Sequence, residues 1–136
     1  MKKFILFIAL FVSSTIAVSQ PIYIMGGDNH EVFLGILNAS PHTQNSIWNK
    51  FGTYGNKYNR DCIWNKFGTY GNSYNRYCPW NQYSCDVPIL IDDAGNYYGP
   101  FSVSNSNKVI QYICKIASVI QDGDIDLEDV YELLFK

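Results

Sequence analysis

The side chains able to do chemistry in this chain are few and scattered. Histidine occurs at His30 and His42, cysteine at Cys62, Cys78, Cys85 and Cys114, and carboxylates cluster at Asp92-Asp93 and in DGDIDLED, Asp122 to Asp129. Nucleophilic catalysis needs a nucleophile, a base and a group that orients the base. Here that would be a His/Asp or Cys/His site built from His30 or His42 with Asp92, Asp93 or a free cysteine. No local motif assembles it: both histidines fall in predicted loops, and DDAGN is a turn sequence in its own right. A calcium loop needs oxygen ligands at positions 1, 3, 5 and 12 and Gly at 6. Counting from Asp122 puts Leu127 at the glycine position, and counting from Gly123 puts Ile120 at a ligand position, so these acids read as helix caps. Cys78 and Cys85 lack the C-x₂₋₄-C spacing of structural zinc sites, with no histidine close by. Gly26-Gly27 precedes a strand rather than a helix, so it is no phosphate cradle. No metal and no cofactor is implied.

What remains is a tandem repeat. Ile47 to Cys62 reads IWNKFGTYGNKYNRDC and Ile63 to Cys78 reads IWNKFGTYGNSYNRYC. The copies differ only at Lys57/Ser73 and Asp61/Tyr77, and Pro79 to Tyr83 (PWNQY) begins a third. Equivalent positions form columns: Trp48/Trp64/Trp80, Asn49/Asn65/Asn81, Phe51/Phe67/Tyr83 and Tyr54/Tyr70. The candidate binding residues are Trp48, Trp64, Trp80, Tyr54, Tyr70, Asn49 and Asn65, since rings beside amides suit sugar faces and also protein partners. The opposing reading is that the rings fill the core of an aliphatic-poor chain.

The glycines recur too densely for a helix, each costing about 1 kcal/mol there. Each unit reads instead as an extended piece, a tight glycine turn and another extended piece. Two arrangements stay open: stacked rungs with amide and aromatic ladders, or a loop-rich wrap whose asparagines bond their own backbone. Cys62 and Cys78 hold the same repeat position. On adjacent rungs they would lie about one strand spacing, ~5 Å, apart, within disulfide reach. The expected bridges are therefore Cys62–Cys78 and, tying the repeat to the C-terminal helix, Cys85–Cys114.

Disulfides presuppose export. Residues 1–19 have the form of a signal peptide: Lys2 and Lys3, an apolar run Phe4 to Val12, and small residues Ala17 and Ser19 before a cut at Gln20. That run is too short for a membrane span, which needs roughly 20 apolar residues, so no span is expected once the leader is removed. Loss of Lys2 and Lys3 takes the formal charge from −2 to −4. With no basic run, nucleic-acid binding is disfavoured. The expected location is secreted or periplasmic.

The elements that must position these residues can be read around the repeat. Pro21–Met25 and Glu31–Leu37 form a predicted hairpin about GGDN, with Gly35 marking a bulge. Val87–Ile91 and Tyr97–Val103 form a second hairpin about DDAGN. Asn105–Gln121 is an amphipathic helix capped by Asn105 or Ser106, and Leu127–Phe135 a final helix capped by Asp126. The domain plan is one domain at 20–136, with the repeat at 46–85 and a helical tail at 105–136.

The stretches GGDNHEVFLGILNAS, the two IWNKFGTYGN units, PWNQYS and VPILIDDAGNYYGPFSVSN together resemble a group of small exported bacterial proteins of uncharacterised function. Its members carry an LGxLN strand, tandem SIWNxYGxYGSxYS units and a proline-led hairpin. The resemblance covers about Gly26 to Asn105. It implies a shared fold and export, and carries over no catalytic residue. Cysteines common in that group's LGxLN segment are replaced here by Ile36 and Ala39, so no metal or redox site follows. The reading is an α+β protein: a small antiparallel sheet of hairpins, a Gly/aromatic/Asn repeat region and two C-terminal helices. Its expected function is an exported, non-enzymatic binding or structural module, with a cell-wall glycan or a protein as partner. The alternative is a small cell-wall-directed hydrolase. The sequence leaves the oligomeric state open.

Overall fold

A computed structural model describes residues 20–136; the predicted signal peptide, residues 1–19, lies outside the described residues. Both hairpins form. Strand β1 (Tyr23–Gly26) pairs antiparallel with β2 (Val32–Ile36). The register slips between Tyr23 and Met25, opposite Gly35, whose φ of 120° is open to glycine alone. Strands β3 (Ile89–Ile91) and β4 (Tyr97–Pro100) make the second hairpin. β3 pairs antiparallel with β1, giving one four-stranded sheet in the order β2-β1-β3-β4. Ile24, Leu34 and Leu90 project from three neighbouring strands into the core and are fully buried.

The β3–β4 turn is held by one carboxylate. Asp92 accepts from the amides of Ala94 at 2.9 Å and Asn96 at 3.0 Å, from Asn96 Nδ2 at 3.0 Å and from the Tyr98 hydroxyl at 2.7 Å. Hydrogen bonds from Asn96 and Tyr98 hold its pKa down at about 2.

The repeat corrects the expectation of extended pieces around a glycine turn. Residues 49–84 contain no strand and no helix. Backbone bonds link Asn49 N to Ser46 O, Gly52 N to Asn49 O, Asn56 N to Gly52 O, Asn59 N to Asn56 O and Cys62 N to Asn59 O. The chain thus advances by turns of three, three, four, three and three residues, then repeats through Asn65, Gly68, Asn72, Asn75 and Cys78. Five turns close one coil, which is why the period is 16 residues.

Asparagine makes this possible. At Asn49, Asn56 and Asn59 the side-chain Oδ1 accepts the amide two residues on, at 3.0, 3.0 and 3.1 Å. The same bonds recur at Asn65, Asn72 and Asn75. Asn49 and Asn65 also donate Nδ2 to the carbonyls of Thr43 and Asn59. The coils do stack, but the amides cap their own backbone instead of forming a ladder along the stack. Glycine serves close approach: a Cβ on Gly55 or Gly71 would lie 2.0 Å from the carbonyl oxygen of Asn49 or Asn65.

The tryptophans form the spine. Trp48 and Trp64 are 5.6 Å apart, Trp64 and Trp80 5.6 Å and nearly parallel. Phe135 extends the line beyond Trp48 at 6.2 Å, and Phe101 beyond Trp80 at 6.0 Å. Indole N–H groups donate to the preceding level, from Trp48 to Leu37 O and from Trp64 to Ile47 O, each at 2.6 Å. The coils also register against the sheet. A bridge joins Ser46 to Ile36 of β2. Tyr54 packs over Gly35 of β2, and Tyr70 over Gly26 of β1, where a Cβ would meet the tyrosines at 2.9 and 3.0 Å. Each coil therefore faces its own strand.

Helix α1 (Lys108–Gln121) starts later than expected, capped by Asn107, whose Oδ1 accepts from Val109 and Ile110. Asn105 is instead buried, tying the helix entry to β4 through the carbonyls of Tyr98 and Pro100. Helix α2 (Leu127–Phe135) is capped by Asp126 as expected. Gln121, at the end of α1, donates to Ile63 O at 3.2 Å and Gly71 O at 2.8 Å. Ile63 O is the repeat equivalent of the Ile47 carbonyl that Trp64 satisfies; Trp80 turns its indole N–H to Gly71 O at 3.1 Å instead, so the helix supplies the donor to Ile63 O.

The expected disulfides are absent. Cys62, Cys78, Cys85 and Cys114 are free thiols, the first two and Cys114 buried and Cys85 exposed. Cys62 is turned into its own coil: its Sγ donates to Tyr54 O at 3.1 Å and accepts from the Trp64 amide at 3.4 Å. Ser46 does the same one coil earlier, donating to Ala39 O and accepting from Trp48 N. The repeat position is thus a corner cap that serine or cysteine can fill, and a thiol occupied there does not reach across to the next coil.

Candidate functional site

The residues with catalytic potential stay apart. His30, in the β1–β2 turn with φ 55°, bonds the Val87 carbonyl at 3.2 Å. His42 is exposed on the loop before the repeat. Asp92 is engaged within its own turn. Among the described residues no hydrogen bond joins either histidine to a carboxylate or a thiol. Burial pushes the Cys62, Cys78 and Cys114 thiols up to about 12, which keeps them protonated and poor nucleophiles near neutral pH. Among the described residues no three His, Cys, Asp or Glu side chains gather as a metal site.

The candidate binding residues read from the sequence divide by burial. Trp48 and Trp64 are each 1% exposed and Tyr70 is buried, so these rings offer no face to a ligand. Trp80, Tyr54, Asn49 and Asn65 are half-buried. The amides of Asn49 and Asn65 are committed to backbone on both their oxygen and nitrogen. Trp48 and Trp64 are core, and Trp80 packs partly buried against it.

Other rings take the surface. Phe51, Tyr58, Phe67, Tyr74 and Tyr83 are 83 to 93% exposed. All five follow one pattern, Asn-x-aromatic: Asn49-Lys-Phe51, Asn56-Lys-Tyr58, Asn65-Lys-Phe67, Asn72-Ser-Tyr74 and Asn81-Gln-Tyr83. In each, the ring residue's amide donates to the asparagine Oδ1, at 3.0 or 3.1 Å. At these five corners the cap that turns the chain leaves the ring outside, whereas at Asn75-Arg76-Tyr77 the same cap holds a half-buried ring against Tyr70. The Asn-x-aromatic signal stands in the sequence, but it does not by itself separate display from burial.

The rings border open grooves across the coils. Phe51 and Tyr58 flank one of about 390 Å³, Tyr58 and Phe67 flank another of about 390 Å³, and Tyr74 and Tyr83 flank a third of about 440 Å³. The edge of Trp64 contributes to the first two and Trp80 to the third. Three of the rings carry a lysine ammonium over the face: Lys50 at 5.4 Å from Phe51, Lys57 at 5.6 Å from Tyr58 and Lys66 at 5.5 Å from Phe67. Such a surface is suited to stacking flat, partly apolar ligands, with Asp126 in the lining of the first groove and Asp122 in that of the second. Among the described residues no helix is long and apolar enough to cross a membrane. In comparisons with known proteins, no family model, no curated protein and no solved structure matches the chain.

Proposed function

We propose that the protein is an exported, non-enzymatic binding module that holds glycan chains, such as those of a cell wall, against the exposed rings of its turn coil. The observation that carries this reading is the display of Phe51, Tyr58, Phe67, Tyr74 and Tyr83 at 83 to 93% exposure on one repeated scaffold. Burying such a side chain is worth about 1.5–3 kcal/mol, and a fold built only for stability gains nothing by holding five of them in water. Exposed aromatic surface of this extent marks an interaction site. A pyranose ring has a flat C–H face that stacks on Phe and Tyr. A tandem array of equivalent rings matches a ligand that is itself a repeating polymer, because linked sites add avidity. Export follows from the form of residues 1–19.

The test is binding of the purified chain to cell-wall glycan and to an array of defined oligosaccharides. A variant with Phe51, Tyr58, Phe67, Tyr74 and Tyr83 all changed to Ser should lose binding while unfolding at about the same temperature, since none of these rings is core. Binding that survives their removal, or no glycan binding by the wild type, overturns the proposal. Mass analysis of protein recovered from outside the cell should give an N-terminus at Gln20.

A further inference from the structure

The two full copies display the same rings and carry the same net charge, since loss of a lysine is matched by replacement of Asp61 with Tyr77, but they place their cations differently. Lys57 in the first becomes Ser73 in the second. The exposed rings are preceded, in order, by Lys50, Lys57, Lys66, Ser73 and Gln82, so the cations sit at one end of the array and neutral groups at the other.

The three lysines are not equivalent. Lys50 faces Asp126 at 3.7 Å and Lys66 faces Asp122 at 3.3 Å, each across to the loop between α1 and α2. Lys57 lies between them and, among the described residues, has no carboxylate within salt-bridge distance. Its ammonium reaches toward Gly123 at the end of α1. A helix C-terminus carries about half an elementary charge, which favours a cation there without neutralising it. Lys57 also lines both of the first two grooves, with Phe51, Tyr58 and the Lys50–Asp126 pair bordering one and Tyr58, Phe67 and the Lys66–Asp122 pair the other, so that Lys57 is, among the described residues, the one charge in each that is not offset. A cation unmatched inside the chain, shared by two ring-walled grooves, is the arrangement that takes a ligand with an apolar face and a carboxylate.

Resting on the glycan reading above, we infer that the grooves around Lys57 bind an acidic sugar of a linear glycan, with pyranose faces on Phe51, Tyr58 and Phe67 and the sugar carboxylate on Lys57. The groove at Tyr74 and Tyr83, with Ser73 in place of the lysine, takes a neutral unit. The array therefore reads a glycan with a direction, acid-accepting at its first coil and neutral at its last.

The experiment is titration calorimetry with two matched pairs. One is hexagalacturonate and its carboxyl-reduced neutral form. The other is peptide-free peptidoglycan strands, which carry lactyl carboxylates, and chitohexaose. In any pair that binds, the acidic member should bind about fivefold more tightly at low salt, with the advantage shrinking as salt rises. Lys57→Ser should remove that preference, read as the ratio of acidic to neutral affinity within the one variant. It installs the residue that the second copy already carries, so folding is preserved. Ser73→Lys should strengthen acidic binding further. Equal affinities within each pair, or an acidic preference that survives Lys57→Ser, overturns this inference and leaves the glycan reading standing. Failure of all four glycans to bind overturns both.

Discussion

A single corner of the coil shows how tightly residue type is set. At Gly71 a Cβ would sit 2.0 Å from the Asn65 carbonyl oxygen, backbone against backbone, with no side chain able to give way. Gly71→Ala should therefore destabilise the protein by more than about 3 kcal/mol, the range reserved for severe steric conflict. Gly95→Ala meets nothing within 4 Å and suffers only from its φ of 82°, so about 1 kcal/mol is expected. Urea unfolding of the two variants compares them directly. The thiols provide a second check. Without reductant, one thiol (Cys85) should react with a colorimetric reagent in the native protein, and all four after denaturation; a shortfall of two in denaturant would reveal a bridge. Asp92 sets an acid limit. Its pKa falls from 3.8 to about 2 on folding, so its contribution is complete above 3.8 and is lost as pH drops from there toward 2. The stability gap between wild type and Asp92→Asn should be widest at neutral pH and close across that window in urea midpoints.

At the scale of elements, hairpins and helices were legible because their signals are local: GGDN and DDAGN for the turns, a 3.6-residue apolar period for α1, Asp126 before α2. Helix α1 starts three residues later than expected, because Asn105 is buried against β4 and the cap falls to Asn107, beyond the two expected caps, Asn105 and Ser106. The coil was only half legible. Its period and its columns are visible in the sequence. That five capped turns close each period is not, because a cap and a ladder use the same asparagine. The disulfide expectation failed for a related reason: equal repeat position places two thiols on adjacent levels but says nothing about where each Sγ points. Gln121 could not be foreseen at all, since its partners lie 58 and 50 residues away. Gln121→Leu leaves the carbonyl of Ile63 without this donor, while Gly71 O still accepts from Trp80 Nε1, and should cost about 2 kcal/mol, within the penalty range for a buried polar group left unpaired. Thermal denaturation of that variant, with the exposed Gln82→Leu as control, reads the difference.

On the scale of the whole molecule, sheet and coil are two rulers laid side by side. From β2 through β1 to β3 the sheet takes two steps of about 4.8 Å each. From Trp48 through Trp64 to Trp80 the coil takes two steps of 5.6 Å. The chain enters the first coil from β2 and leaves the last toward β3. The strand order thus fixes how many coils fit. Removing residues 63–78, an in-frame loss of one whole copy, should yield a chain without a cooperative unfolding transition in circular dichroism, although every remaining turn keeps its own sequence. The same constraint governs how such a gene can grow. Tandem DNA copies are prone to expand by unequal exchange, yet one extra unit here would carry the last coil past β3 to the level of β4, away from the strand the chain must enter next. Repeat number in this architecture is expected to change only together with the link to β3, so a lineage that lengthens the ring array must also rebuild the return to the sheet.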